Sequence, residues 1–222
     1  MSDTRRPIPF LTDALVFPPA ETAGGEGLVA AGGDLRPDRL RLAYRSGIFP
    51  WFNEDALILW WSPDPRMVLF PGELRVSKSM RRLLNSGVFQ VTKNRDFEAV
   101  IRACAAVPRP GQEGTWITEG MIAAYLELHR SGDAVSYEVW ENDRLVGGLY
   151  GVDLGHVFCG ESMFAHVSNA SKAGFIHMVQ DVEAAGYAMV DCQVYTPHLE
   201  SLGAREIPRS EFLQILRQGA VS

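Results

Sequence analysis

Between Ala134 and Phe164 the chain reads AVSYEVWENDRLVGGLYGVDLGHVFCGESMF. Three runs rich in β-branched and aromatic residues are broken at Asn142-Asp143 and again at Leu154-Gly155. Runs of this kind, parted by residues that tolerate a left-handed backbone, predict three strands joined by tight turns. Consecutive antiparallel strands form a meander, and a meander must bury at least one face against another element. The next segment supplies that element. SNASKAGFIHMVQDVEAAG places Phe175, Met178, Val179 and Val182 on one helical stripe. A strand, AMVDCQVYT from Ala188 to Thr196, then follows. A helical turn at PHLESLG and a helix near Ser210 to Gln218 close the pattern, and the fold class is α+β.

Upstream, GGDLRPDRLRLAYRSGIFPWF predicts a short helix, with Asp34 capping its start, Gly47 ending it, and Leu35, Leu42 and Ile48 buried. ILWWSPDPRMVLFP gives two extended pieces broken at Ser62-Pro63-Asp64-Pro65. That break divides a small N-terminal α/β lobe, residues 1–64, from a larger domain, residues 65–222. The larger domain adds a helix at VSKSMRRLLNSG, between Ser77 as cap and Gly87 as stop, and a strand at VFQVTK. DFEAVIRACAA is a helix with Phe97, Val100, Ile101 and Cys104 at helical spacing; a loop and a helix from about Glu119 to Arg130 follow. This order resembles the acetyltransferase-like fold, an antiparallel meander with packed helices. In that fold the acyl donor's pyrophosphate rests on a glycine-rich loop before the central helix. Here the loop reads HVSNASKAG, without Gly-x-Gly, which argues against coenzyme A; the helix N-terminus can still attract an anion.

Two polar interruptions carry the chemical signal. Asp191 and Gln193 sit inside an apolar strand, and regular alternation puts them on one face with Met189 and Tyr195, opposite Val190, Cys192 and Val194. An unpaired carboxylate in a core costs several kcal/mol, so that face must meet a partner, a cleft or a substrate. Glu161 interrupts FCGESMF in the same way and, in regular strand geometry, shares a face with Cys159 and Met163. Each carboxylate has an ordinary structural reading, as a hydrogen-bond acceptor for a loop or on an exposed strand end. Converging on one cleft, they would suit a cationic substrate or acid–base chemistry. Cys159 lacks a neighbouring His to activate it as a nucleophile, and Cys192 reads as core. The rings of GIFPWF, LWW and TWIT are packing residues by default, with base stacking the alternative. Lys78, Arg81 and Arg82 make either a solvated helix face or a phosphate contact.

Composition narrows the classes. At 222 residues and 46% apolar the chain has material for a real core, and no apolar run approaches a membrane span. The opening MSDTRRPIPFLTDALVFPP, broken by proline and charge, does not read as a secretory signal. Three scattered cysteines fit a reducing cytoplasm and form neither a disulfide framework nor a zinc site; the five histidines show no ligand spacing either. A net charge of −6 disfavours a protein that wraps nucleic acid nonspecifically and favours a cationic partner.

The motifs GLVAAGGDLRPDRLRLAYRSGIFPWF, LWWSPDPR, EGTWIT, VWENDRLVGGLYGV, FCGESMF, NASKAGF, DCQV and SLGAREIPR, in this order, resemble the leucyl/phenylalanyl-tRNA–protein transferase family. The resemblance runs from about Gly27 to Arg209. It implies a cytoplasmic enzyme of the N-degron pathway of protein degradation, using neither metal nor coenzyme A; nothing in the sequence demands more than a monomer. Such enzymes move Leu or Phe, in some cases Met, from aminoacyl-tRNA to proteins with N-terminal Arg or Lys. It implies that Asp191 and Gln193 act at the reacting amine and that Glu161 lines the site. Trp51 and Trp116 would lie by the aminoacyl-adenosine, and Leu149, Phe158, Met163, Met178 and Val190 would form the apolar pocket. Val190 would need a local twist to reach it. Lys78 and Arg82 would contact RNA. Other members can carry Met and Phe where this chain has Leu149 and Met178. Two other readings stand beside this one: an acyl-CoA-dependent N-acyltransferase of the same fold, and a noncatalytic reader of basic N-termini.

Overall fold

The computed structural model describes residues 7–53, 56–107 and 115–219. Two sheets organise them. The first contains β1 (Phe10–Leu11), β2 (Leu28–Gly32), β3 (Phe49–Pro50) and β4 (Leu59–Trp61), in the order β1-β2-β4-β3. Helix α1 (Pro37–Arg45) buries Leu40, Ala43 and Tyr44 along one side. It stops at Gly47, whose φ of +75° favours glycine and whose N–H returns to the Tyr44 carbonyl. Asp34 is not the cap. It lies two residues before the N-cap position, which Arg36 occupies; it accepts the Arg36 N–H at 3.0 Å, and pairs with Arg36 and the buried Arg39. Leu42 is only partly buried, because it lies off the face that buries Arg39, Leu40, Ala43 and Tyr44.

The second sheet contains β5 (Arg66–Leu69), β6 (Gln90–Lys93), β7 (Ala134–Glu141), β8 (Arg144–Asp153), β9 (Val157–Ala165), β10 (Met189–Gln193) and β11 (Arg205–Ile207). Their order is β11-β5-β10-β9-β8-β7-β6. The meander is β7-β8-β9, and its first turn has Asn142 and Asp143 at φ +50° and +59°, as a two-residue hairpin requires. The helices are α2 (Lys78–Asn85), α3 (Phe97–Ala105), α4 (Glu119–Arg130), α5 (Ala170–Ala184), α6 (Pro197–Ser201) and α7 (Arg209–Gln218). Ser77, Asp96 and Thr118 cap α2, α3 and α4 through side-chain oxygens. The fold is α+β, with the meander and its packed helices as the sequence predicts.

Helices cover both faces of the large sheet. Phe175, Met178, Val179 and Val182 of α5 pack on one face with Leu149, Phe158 and Val190. Phe97, Val100, Ile101 and Cys104 of α3, with α4, pack on the other with Tyr150, Val152 and Cys159. This second core continues into the small sheet through Leu40, Tyr44 and Trp60 and reaches Phe212 of α7. The strand expected over Ala188 to Thr196 ends at Gln193, where the backbone turns left-handed.

Candidate active site

The site forms where β9 and β10 part. They are parallel neighbours, paired at Met189–Val157, Val190–Phe158 and Asp191–Cys159, and the ladder stops there. Each strand then breaks its alternation once. In β9, Tyr150 of β8 faces Ser162 and Gly151 faces Gly160, so Glu161 is the extra residue of a bulge. In β10 the register against β5 shifts between Asp191 and Gln193, and Gln193 has φ +64°. That conformation is sparsely populated without glycine and marks a functional or strained position.

These two irregularities turn Glu161 and Gln193 toward each other. Gln193 Nε2 donates to Glu161 Oε1 at 2.7 Å. An ionised carboxylate only accepts, so the amide nitrogen must face Glu161, and Gln193 Oε1 is left to accept elsewhere. Tyr125 O–H donates to Glu161 Oε2 at 3.1 Å, and its hydroxyl is in turn hydrogen-bonded to that of Tyr44. Burial pushes the Glu161 carboxyl up to about 7; hydrogen bonds from Tyr44, Gln193 and Tyr125 oppose that rise, and the nearby Asp191 charge adds to it. Burial, followed by the Glu161 charge, holds both tyrosines well above their ordinary range, so they remain neutral donors.

A cavity of about 480 Å³ opens beside this pair. Leu149, Met163, Phe175, Met178 and Val190 give it apolar walls, and Trp51 and Trp116 also line it. Eight of the expected site residues border it: Trp51, Trp116, Leu149, Glu161, Met163, Met178, Val190 and Gln193. Val190 needs no twist, because the cavity lies on the Val190 and Cys192 side of β10. Cys192 is therefore a wall residue rather than core, and burial pushes its thiol up. Cys159 is buried on the opposite face; burial and the Asp191 charge hold its thiol well up, which leaves no thiolate to act as nucleophile.

Two expected residues stand elsewhere. Phe158 is 1% exposed and does not border the cavity. Its ring lies over Gly151, where a Cβ would stand 2.6 Å from it, and meets Tyr137 edge-on. Asp191 is also 1% exposed, and the bulge separates it from Gln193's direction. Its two oxygens accept from Arg66 Nε at 2.8 Å and Nη2 at 2.7 Å, and Oδ1 also accepts the Gln193 N–H at 3.0 Å. This carboxylate is enclosed by its partners and does not border the cavity. Arg66 is itself 1% exposed, donates to the Gly47 carbonyl at 3.3 Å, and lies against the rings of Phe49 and Phe212. Sequence reasoning missed Arg66, Tyr44, Tyr125 and Phe175 as site residues. Arg66 had a signal: a cation opening the apolar run RMVLF needs an anion, as Asp191 needs a cation.

Lys78, Arg81 and Arg82 are exposed on α2 and form no ion pair with a described residue. Among the described residues no three His, Cys, Asp or Glu side chains are grouped to hold a metal, and no helix is long and apolar enough to cross a membrane.

Comparison with known proteins gives this geometry its class. A model of the leucyl/phenylalanyl-tRNA protein transferase family matches residues 68–217, and that of its N-terminal domain matches residues 33–64. A leucyl/phenylalanyl-tRNA–protein transferase of Flavobacterium johnsoniae is 60% identical over 208 residues, covering 94% of this chain and 98% of the relative. One from Nitrosospira multiformis is 57% identical over 213 residues, covering 95% and 91%. Among solved structures, a GCN5-related N-acetyltransferase from Kribbella flavida aligns with 75% of this chain and 59% of its own, at 11% identity and a TM-score of 0.37. The chain is a group-transfer enzyme. It belongs to the leucyl/phenylalanyl-tRNA–protein transferase family.

Proposed function

We propose that the cavity receives the aminoacyl end of Leu-tRNA or Phe-tRNA, and in some cases Met-tRNA, and transfers the amino acid to the α-amine of a protein beginning with Arg or Lys. The hydrogen-bonded Glu161–Gln193 pair on the wall of an apolar cavity carries this reading. The donor is already activated as an ester, so the enzyme's main task is alignment, which supplies roughly 7–11 kcal/mol of barrier reduction. The donor's side chain enters among Leu149, Met163, Phe175 and Met178. Burying a Leu or Phe side chain there is worth about 1.5–3 kcal/mol.

The acceptor α-amine, with a pKa of about 8, arrives largely protonated. Gln193 Oε1 is directed to accept one of its N–H groups. The Glu161 carboxyl, poised at about 7, attracts the ammonium in its ionised form and takes a proton from it, which frees the nitrogen lone pair to attack the ester carbonyl. The new C–N bond forms, the bond to the tRNA 3′ oxygen breaks, and the second proton lost by the nitrogen passes to that oxygen, which leaves as the 3′ hydroxyl. Asp191, expected at the amine from the strand pattern and the family motif, yields this role to Glu161 in this reading because its own oxygens are engaged by Arg66. Trp51 and Trp116 flank the terminal adenosine, and Lys78 and Arg82 meet the RNA backbone. Nothing in this reading requires a second copy of the chain, so it is kept as a monomer. The three scattered cysteines fit the cytoplasm, where the product enters the N-degron pathway.

The test offers labelled Leu-tRNA with peptides beginning Arg, Lys, Asp or Ala. Label on the Arg and Lys peptides alone, abolished by RNase, is the expected outcome. Equal labelling of all four, or labelling that survives RNase, overturns the reading.

A further inference from the structure

We infer that Arg66 is a positioning residue for the transfer: locked on Asp191, its guanidinium holds Gln193 in the conformation that aims its amide at Glu161. The inference rests on the reading of Gln193 as a group that meets the acceptor amine.

Three observations lead to it. Arg66 and Asp191 are each 1% exposed and joined by two charge-assisted bonds, at 2.8 and 2.7 Å. A planar fork engaging both carboxylate oxygens fixes the direction of Asp191 as well as its charge. The same Oδ1 that receives Arg66 Nε also receives the backbone N–H of Gln193, at 3.0 Å. Gln193 stands at φ +64°, a backbone setting that a non-glycine residue keeps only where its surroundings enforce it. The chain of contacts therefore runs Arg66, Asp191, Gln193 backbone, Gln193 amide, Glu161, without a gap. Stability alone gives a poor account of this pair. A buried ion pair is commonly no more stabilising than apolar residues filling the same space, so its worth lies in the geometry it imposes. On its other side Arg66 donates to the Gly47 carbonyl and lies against Phe49, which borders the cavity. One guanidinium thus links Phe49 of β3 to the Asp191–Gln193 segment of β10.

The test is a double-mutant cycle on the full chain, using labelled Leu-tRNA and a peptide beginning with Arg. Arg66→Lys keeps the buried charge but loses the fork. We expect kcat to fall roughly 10–100-fold, the scale of a small misplacement, with the KM for Leu-tRNA within about twofold. In a Gln193→Ala background the same Arg66→Lys change should alter kcat by less than about twofold, because its effect passes through Gln193. A full Arg66→Lys loss repeated on top of Gln193→Ala overturns the inference while leaving the role of Gln193 intact. An unchanged kcat in Arg66→Lys overturns it as well. If Gln193→Ala alone leaves kcat unchanged, the reading of Gln193 fails and this inference falls with it. Should Arg66→Lys not fold, the cycle is run with the double variant R66Q/D191N, which strands no charge. Failure of that variant to fold too would assign the pair to the core and overturn the inference.

Discussion

Glu161 and Asp191 interrupt neighbouring strands, and both are enclosed by protein, yet their surroundings give them opposite characters. Asp191 faces a full positive charge, and its oxygens are saturated by Arg66 and a backbone N–H. Glu161 faces neutral donors, a carboxamide and the phenol of Tyr125, with Tyr44 behind it. A carboxylate gripped on both oxygens by a guanidinium stays where it is. One held by neutral groups in a poorly solvated pocket sits close to protonation, which makes it able to exchange a proton near neutral pH. Burial by itself does not separate a structural acid from a working one; the charge of its partner does.

The contrast can be broken at either member. Asp191→Ala would leave Arg66 charged and alone in the core, which should cost about 3–5 kcal/mol of stability, read as a lower denaturation midpoint. An unchanged midpoint would mean that Arg66 finds solvent and the pair is not the closed unit described. Glu161→Gln keeps the size of the side chain and removes its charge. Transfer at neutral pH should slow by roughly 10²–10⁴-fold, and the rise in rate that follows Glu161 deprotonation should vanish. Its effect on stability has the other sign. The folded protein holds this proton up to about pH 7, whereas the unfolded chain releases it near 4.5, so the wild type loses stability as the pH climbs through that window. Glu161→Gln should therefore unfold at a higher temperature than wild type at about pH 8, with the difference shrinking toward about pH 4.5. A constant difference across that range would show that the carboxyl is not perturbed.

Smaller effects sharpen the picture of the walls. Met163→Ala enlarges the cavity and should shift the Leu-to-Phe donor preference by about 1–3 kcal/mol, measured as a ratio of kcat/KM values. Phe158→Ala, behind the wall, should reduce stability and leave that ratio alone. A moved ratio would put Phe158 back in the pocket. The smallest change is expected at α2. Neutralising Lys78 and Arg82 should flatten the salt dependence of Leu-tRNA binding by about 0.7–0.9 in the log–log slope for each phosphate left without its cation. An unaltered slope removes that helix from the RNA surface.

Much of this was legible in the sequence, for reasons that can be named. The stripe of α5, the Ser77 cap and the Asn142-Asp143 turn are local features, set by residues a few positions apart. The motifs brought Glu161, Gln193 and most of the cavity wall together. What misled was the assumption of unbroken alternation. A bulge at Glu161 and a left-handed residue at Gln193 each reverse the parity of a strand, and neither residue type announces it. Regular alternation therefore sets Asp191 beside Gln193, and the motif sets Phe158 in the pocket, where the folded strands put neither. Tyr44 and Tyr125 were illegible for another reason: they reach Glu161 from α1 and α4, and no periodicity within one element reports on neighbours so far apart in sequence.

The strand order of the large sheet bears on how the molecule assembles. β7, β8 and β9 are linked by short turns and pair with their neighbours in sequence, whereas β5 lies between β10 and β11, and Arg66 meets a partner 125 residues away. Loop closure over such a distance is entropically slow, so the hairpins should gain protection from hydrogen exchange before the edge that carries β5 does. The last region to become native would then be the one that makes the protein a catalyst, and a chain caught midway would already possess its scaffold while remaining inert.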